Sequence, residues 1–388
     1  MAHIVLGAYL LSGSPSYRQA GVHTYAKHLL GALSLSPLTP LPEGERNKIT
    51  ALLSPTALDE LSTLHSPLSF RPASRTTENP FSRIFVEQIE TPRVLRELNA
   101  DLYHSLGFVA PLRAPCLTVV SMMDISFITQ PRAHKLFNRV YLRLFSKASC
   151  RRAERVITIS EHTKRDVVQH FGISPDRVDA IPLGVDHDHF KPQSPDIVTM
   201  FKAQHNIGDH AIFYLGSLEP RKNLPRLIEA FSLLTSHFPL LTSQLFIGGN
   251  LAWKYDEIFA RIKQLGLQDS VKLIGRVSDD DLPKWYASCA LTTYPSLYEG
   301  FGLPPLEAMA CGAPVVTSNV TSLPEVVGDA GILVDPTDVN ALSDALSRVL
   351  RDDDLRADMR AKSLARAHSF TWQRTAERTM ESYRRVMG

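Results

Sequence analysis

The chain has 388 residues, 44% of them hydrophobic and 21% charged, with a formal net charge of +2. That length is more than one hydrophobic core organises, so two domains are expected, and the balanced composition excludes a disordered, collagen-like or disulfide-dense chain. The small total hides an asymmetry: residues 1–185 hold 21 Lys and Arg against 15 Asp and Glu, and the remainder holds 21 against 25.

A basic first half suggests that an anionic partner meets that half, and no nucleic-acid partner is expected. The four cysteines, Cys116, Cys150, Cys289 and Cys311, form no C-x-x-C, and the histidines form no H-E-x-x-H. Buried free thiols in a reducing compartment are therefore expected, with no dedicated metal site.

In chain order, MAHIVLGAYL lacks a basic leader and reads as a first strand rather than a signal peptide. No uncharged apolar run approaches the roughly 20 residues that a membrane span needs, so a cytoplasmic chain is expected, at most peripheral at the inner membrane face. The polar loop SGSPSYRQAG follows, with Gly21 at its end as a point of close backbone approach, and then the helical pattern VHTYAKHLLGAL. A single glycine in a loop is equally a simple turn. Residues 36–80 show little periodicity apart from KITALLS. Strand-like runs then arrive at DLYHSLG, CLTVVSMMD, RVITIS and DRVDAIPLG, with helical patterns between them.

IPLGVDHDHFKPQSPD reads as a linker. A second alternation begins at AIFYLGSL and passes through QLFIGG, SVKLIG, ALTTYP, APVVTS and GILVDP, ending in a long helical tail. The fold class is α/β, two Rossmann-like halves. The expected domains are residues 1–187 and 188–370, with a helix at 371–388 packing back on the first.

The most informative stretch is SLYEGFGLPPLEAMACGAPVV, which sets Glu299 and Glu307 eight positions apart around a glycine loop. The loop leads into a helix opening at Pro304-Pro305, which exposes the N–H groups of Phe301, Gly302 and Leu303 at a positive helix end. Glu307 is placed in that helix's first turn, where it favours the dipole and can accept hydrogen bonds from both hydroxyls of a ribose. Taken singly, Glu307 reads equally as a capping acid and Glu299 as a solvated loop residue.

Glu299-Gly-Phe-Gly-Leu-Pro-Pro-Leu-Glu307 resembles the E-x7-E motif of the retaining group 1 glycosyltransferases, which have the GT-B fold of two Rossmann-like domains facing a central cleft. GSLEPRKNL from Gly216, IPLGVD from Ile181 and DLYHSLGF from Asp101 extend the resemblance. It implies transfer of a hexose from a nucleotide-diphospho-sugar, with GDP-mannose a first guess, to a glycan or lipid-linked acceptor. No metal or other cofactor is implied. Glu307 would hold the ribose and Glu299 the donor sugar. Phe301, Gly302 and Leu303 would offer main-chain donors to sugar or phosphate. Lys222, helped by Arg221, would neutralise the departing diphosphate, and the backbone at Val277 would meet the base.

Three residues depart from the pattern. Ser217 stands where the family often carries an arginine, and Leu183 stands where it has asparagine. Met123 replaces a histidine that lies near the donor sugar in relatives, and Met cannot donate the same hydrogen bond. Asp124 is then the ionisable group of that element, with a catalytic or acceptor-orienting role, or else the support of a turn. These departures also leave open a non-catalytic nucleotide-sugar-binding or partner protein. Finally, no Asp or Glu occurs from 125 to 153, while basic residues recur at 135, 139, 143, 147, 151 and 155. This stretch, 132–155, reads as an amphipathic helix for an anionic membrane surface, or as a packed helix with a solvated basic face.

Overall fold

The computed structural model describes residues 2–11, 20–35, 48–58, 68–131, 136–238, 243–250 and 255–388. The loop at 12–19, most of the weakly periodic region (36–47 and 59–67) and residues 132–135 of the basic stretch lie outside them. The chain forms two compact units. One is Met1–Gly184 with Trp372–Gly388, and the other is Val185–Thr371.

The first unit is built on seven strands: β1 (His3–Ala8), β2 (Lys48–Leu53), β3 (Ser69–Pro72), β4 (Leu102–Ser105), β5 (Leu117–Met122), β6 (Arg155–Thr158) and β7 (Val178–Ala180). They pair in parallel in the order β3-β2-β1-β4-β5-β6-β7. Helices cover both faces of such a sheet, so its inner strands are buried and largely apolar. All six residues of β1 are buried, and the polar one, His3, has its ring nitrogens 2.8 Å from Leu98 O and 2.9 Å from Thr50 Oγ1. The edge strand β3 reads Ser-Phe-Arg-Pro and is largely exposed. An edge strand tolerates proline and needs no apolar run, so nothing in its sequence announced it.

The helix Trp372–Met387 belongs to this first unit. Its Tyr383 hydroxyl lies 2.6 Å from His104 Nδ1, and His104 Nε2 lies 2.7 Å from Ser121 Oγ. Burial holds His104 neutral, with a pKa lowered to about 3. On the edge strand β7, Asp179 accepts from Ser382 at 2.6 Å and pairs with Arg155 and Arg385. Buried Met380 and Tyr383 add apolar contact, and a fully buried side chain of that size contributes about 1.5–3 kcal/mol.

The second unit carries β8 (Ala211–Leu215), β9 (Gln244–Gly248), β10 (Val271–Gly275), β11 (Leu291–Tyr294), β12 (Val315–Ser318) and β13 (Ile332–Val334), in the order β10-β9-β8-β11-β12-β13. Counted from its own first strand, each sheet runs 3-2-1-4-5-6, the doubly wound order, and the first adds a seventh strand. Leu227, Ile228 and Phe231 of helix Leu224–His237 and Leu342, Leu346 and Val349 of helix Val339–Arg351 fill the second core. The linker reading at 181–196 ends earlier than its polar composition indicates: Pro195–His205 is a helix, capped by Ser194 Oγ accepting from Ile197 N.

Candidate active site

In a doubly wound sheet, ligands bind beyond the carboxyl ends of the strands, where the order reverses. In the second unit that point lies between β8 and β11. The loop after β8 carries Gly216 to Asn223, and the loop after β11 carries Pro295 to Gly302. Main-chain and side-chain bonds lock the two loops together. Leu297 N donates to Arg221 O at 2.8 Å, and Arg221 Nη1 donates to Tyr298 O at 3.1 Å. Asn223 stands in the left-handed region with φ 62°, which asparagine tolerates. Its amide donates to Pro295 O at 2.9 Å and to Pro336 O at 2.7 Å.

This locking brings three of the expected site residues into one cluster. Lys222 Nζ donates to Glu299 Oε1 at 2.6 Å and Arg221 Nη1 to Glu299 Oε2 at 2.9 Å. A fourth charge, Glu219, was missed by sequence reasoning although it lies inside the quoted GSLEPRKNL. It takes Arg221 Nε at 2.8 Å and the Ser217 hydroxyl at 3.1 Å. Lys222 is only 7% exposed. Burial and the neighbouring Arg221 lower its pKa, against the pull of Glu299. For Glu299, burial opposes ionisation, but Lys222 and Arg221 prevail and hold the carboxyl at about 2.

Glu307 is in the opposite condition. Burial raises its pKa to about 7, with the Tyr286 hydroxyl working against the rise and Asp279 adding to it. Tyr286, on helix Leu282–Ser288, donates to Glu307 Oε2 at 3.3 Å. The sequence placed Glu307 in the first turn of its helix, and this requires correction. The helix runs Leu303–Ala310 with no acid in its first turn, because it starts directly after Gly302 and the two prolines fill that turn. Glu307 sits in the second turn, beyond the strongest reach of the dipole.

Gly302 has φ 121°, and a Cβ there would meet Leu323 Cδ2 at 2.9 Å, so the loop geometry requires glycine. Ser322 Oγ donates to Phe301 O at 2.7 Å and to Glu299 O at 3.0 Å, which fixes the backbone on either side of Gly300. Phe301 is buried and Leu303 opens the helix. Val277 follows β10 on the same carboxyl edge, two strands from β8, and its side chain occupies the space that a Cβ on Gly248 would need.

The remaining expected residues belong to the first unit. Gly21 was read as a loop residue but is the second residue of helix Ala20–Leu35. The helix begins earlier than the sequence indicated, and a Cβ on Gly21 would meet nothing within 4 Å. Met123 is buried after β5. Asp124 Oδ1 accepts from Ser126 N at 2.9 Å, which supports the turn into the short helix Ser126–Thr129. The described part of the basic stretch forms helix Leu136–Arg152. Leu136, Phe137, Val140 and Leu144 are 66%, 47%, 46% and 61% exposed, and the Phe137 ring lies 5.1 Å from that of exposed Phe81. Arg143, Arg151 and Arg152 are exposed beside them.

Among the described residues no cluster of His, Cys, Asp and Glu could hold a metal, and no helix is long and apolar enough to cross a membrane.

Residues 198–366 match the family model of glycosyl transferases group 1, and residues 51–189 match that of glycosyltransferase family 4. The chain belongs to the group 1 glycosyltransferases, and its fold is GT-B. Over 294 residues it is 35% identical to the O-antigen chain mannosyltransferase B of Escherichia coli, covering 75% of this chain and 76% of that relative. Among solved structures, a sucrose-phosphate synthase from Thermosynechococcus elongatus superposes with a TM-score of 0.79 at 20% identity, over 100% of this chain and 99% of that one. The Anabaena protein HepE, solved in complex with UDP-glucose, gives 0.76 at 20% identity over 100% of both chains.

Proposed function

We propose that this glycosyltransferase moves a hexose, with mannose the first candidate, from a nucleotide-diphospho-sugar to a glycan or lipid-linked acceptor, with retention at the anomeric carbon and without a metal. The observation that carries the reading is the meeting of Arg221, Lys222 and Glu299 at the point of strand-order reversal in the second sheet. The mannosyltransferase relative supports the choice of sugar.

In this reading the diphosphate lies against Lys222 and Arg221 and the N–H groups of Phe301, Gly302 and Leu303. Glu299 faces the sugar, Glu307 holds the ribose, and the backbone at Val277 meets the base. As the bond from the anomeric carbon to the diphosphate oxygen breaks, charge builds on that oxygen, and the fixed cations stabilise it. The acceptor hydroxyl bonds to the same face of the anomeric carbon, and its proton passes to the departing oxygen, so no separate base is required. The protein supplies orientation and leaving-group stabilisation. Gly21 and Asp124 serve the acceptor side. The exposed apolar and basic face of helix Leu136–Arg152 rests on an anionic membrane, where a lipid-linked acceptor resides. Buried Met123, with Asp124 engaged by Ser126, favours the second reading, a binding protein without turnover.

The test is a thermal-shift panel of UDP, GDP, ADP, dTDP and their sugar esters with EDTA present, on wild type and Glu307→Ala. A ligand at 100 times its Kd adds about 2.7 kcal/mol of stability, which is a shift of a few degrees. One nucleotide is expected to shift the wild type and not the variant. An ionised carboxylate accepts from both ribose hydroxyls, and the Glu307 carboxyl titrates at about 7. Wild-type affinity should therefore rise with pH through that value and stay flat in Glu307→Gln. No shift from any nucleotide would overturn the reading, and turnover by the shifted protein would remove the second one.

A further inference from the structure

The cluster beside β8 and β11 has no charge to spare. Arg221 and Lys222 bring two positive charges, and Glu219 and Glu299 bring two negative ones, all joined at 2.6–2.9 Å. Ser217, where an arginine would have left an excess cation, only donates a hydrogen bond to Glu219. A diphosphate reaching this neutral group meets cations already satisfied, one of them buried. We infer that Glu299 is an internal counter-ion that a diphosphate must displace, and that it thereby favours the sugar-bearing donor over the bare nucleoside diphosphate.

The inference rests on the donor site proposed above and adds a residue that discriminates substrate from product. The backbone of Glu299 is tied on both sides, its N–H to Thr321 Oγ1 at 3.3 Å and its carbonyl to Ser322 Oγ at 3.0 Å. Displacement is therefore a side-chain rotation about a fixed Cα, while the incoming anion takes over the two cations. The cost lies with the carboxylate, which leaves two charged partners and must find other donors. The hydroxyls of a bound sugar supply them. A bare nucleoside diphosphate has none at that position, so it bears the whole penalty. Once the sugar has been transferred, the returning carboxylate competes with the diphosphate for Lys222 and Arg221 and helps to expel it.

The experiment is isothermal titration of GDP against GDP-mannose, and of UDP against UDP-glucose, into wild type, Glu299→Gln and Ser217→Arg, each checked for folding by circular dichroism. Glu299→Gln removes the competing charge and should bind the bare diphosphate about tenfold tighter, the equivalent of roughly 1.4 kcal/mol. The sugar ester should gain less, so the preference for it shrinks. Ser217→Arg supplies a spare cation with Glu299 intact and should tighten both ligands. Unchanged or weaker diphosphate binding in Glu299→Gln would overturn the inference while leaving the donor site standing. If Glu299→Gln fails to fold, an absence of gain in Ser217→Arg overturns it on the charge balance alone. Binding of neither pair by any of the three proteins would remove both the inference and the reading beneath it.

Discussion

The two sheets share one strand order, yet their carboxyl edges are furnished in opposite ways. Beside β8 and β11, four charged side chains meet within hydrogen-bonding distance. In the first sheet β4 ends near His104, which burial keeps neutral between Tyr383 and Ser121, and β5 ends in buried Met123 and an Asp124 that supports a turn. Topology supplies a crevice in both places, but chemistry comes from what the loops bring to it. The loops of the charged edge are held in place by Asn223, Ser322 and the Arg221 main chain.

The comparison predicts its largest effect at Lys222. Lys222→Ala removes a buried cation from the side where leaving-group charge would develop, and a fixed donor of this kind is worth about 10²–10³ in turnover. The same change leaves Glu299 with one cation instead of two, so the melting temperature should fall as well. Steady-state kinetics on the donor chosen by the panel checks this. A loss below tenfold would mean that the charged edge does not serve the leaving group.

Much of this contrast was legible in the sequence, and what was not has a physical reason. Short apolar runs announced the inner strands of both sheets, because strands buried on both faces are largely apolar. Gly-Phe-Gly-Leu-Pro-Pro marked the helix start because few residues other than glycine accept the backbone of Gly302. Edge strand β3 and the pairing of Glu219 with Arg221 carry no periodic signal, and each is set by contacts distant in sequence or by a local ion pair. The positions of Glu307 and Gly21 were misjudged by a turn or less, since a helix boundary is set by local backbone geometry that apolar periodicity does not mark. The opposite ionisation of Glu299 and Glu307 is a consequence of burial and neighbours, which sequence spacing does not contain.

A second feature lies on the surface of the first unit, and its expected effect is intermediate. The first unit exposes Leu136, Phe137, Val140 and Leu144 next to Arg143 and Arg152. A basic residue near an anionic lipid surface contributes about 1 kcal/mol at moderate salt. Arg143→Gln and Arg152→Gln together should therefore lower partitioning onto phosphatidylglycerol vesicles about tenfold or more. Cosedimentation reads this directly, with neutral phosphatidylcholine vesicles as the reference. Equal pelleting with both lipids, or none with either, would return this helix to an ordinary solvated face.

The smallest effect is expected at Asp124, and it decides how far the contrast between the two edges extends. Asp124 Oδ1 accepts from Ser126 N, and an amide oxygen can accept the same bond, though more weakly than a carboxylate. If turn support is its whole work, Asp124→Asn should keep stability within about 0.5 kcal/mol, as substitutions that preserve such a contact do. Asp124→Ala should lose about 1 kcal/mol, the usual price of a lost local cap. Turnover separates the remaining role, because asparagine keeps the turn but neither carries a charge nor accepts a proton from an acceptor hydroxyl. A turnover drop in Asp124→Asn at unchanged melting temperature would show that the first edge contributes chemistry of its own. Unchanged turnover would leave the charge of this enzyme's site on the second sheet.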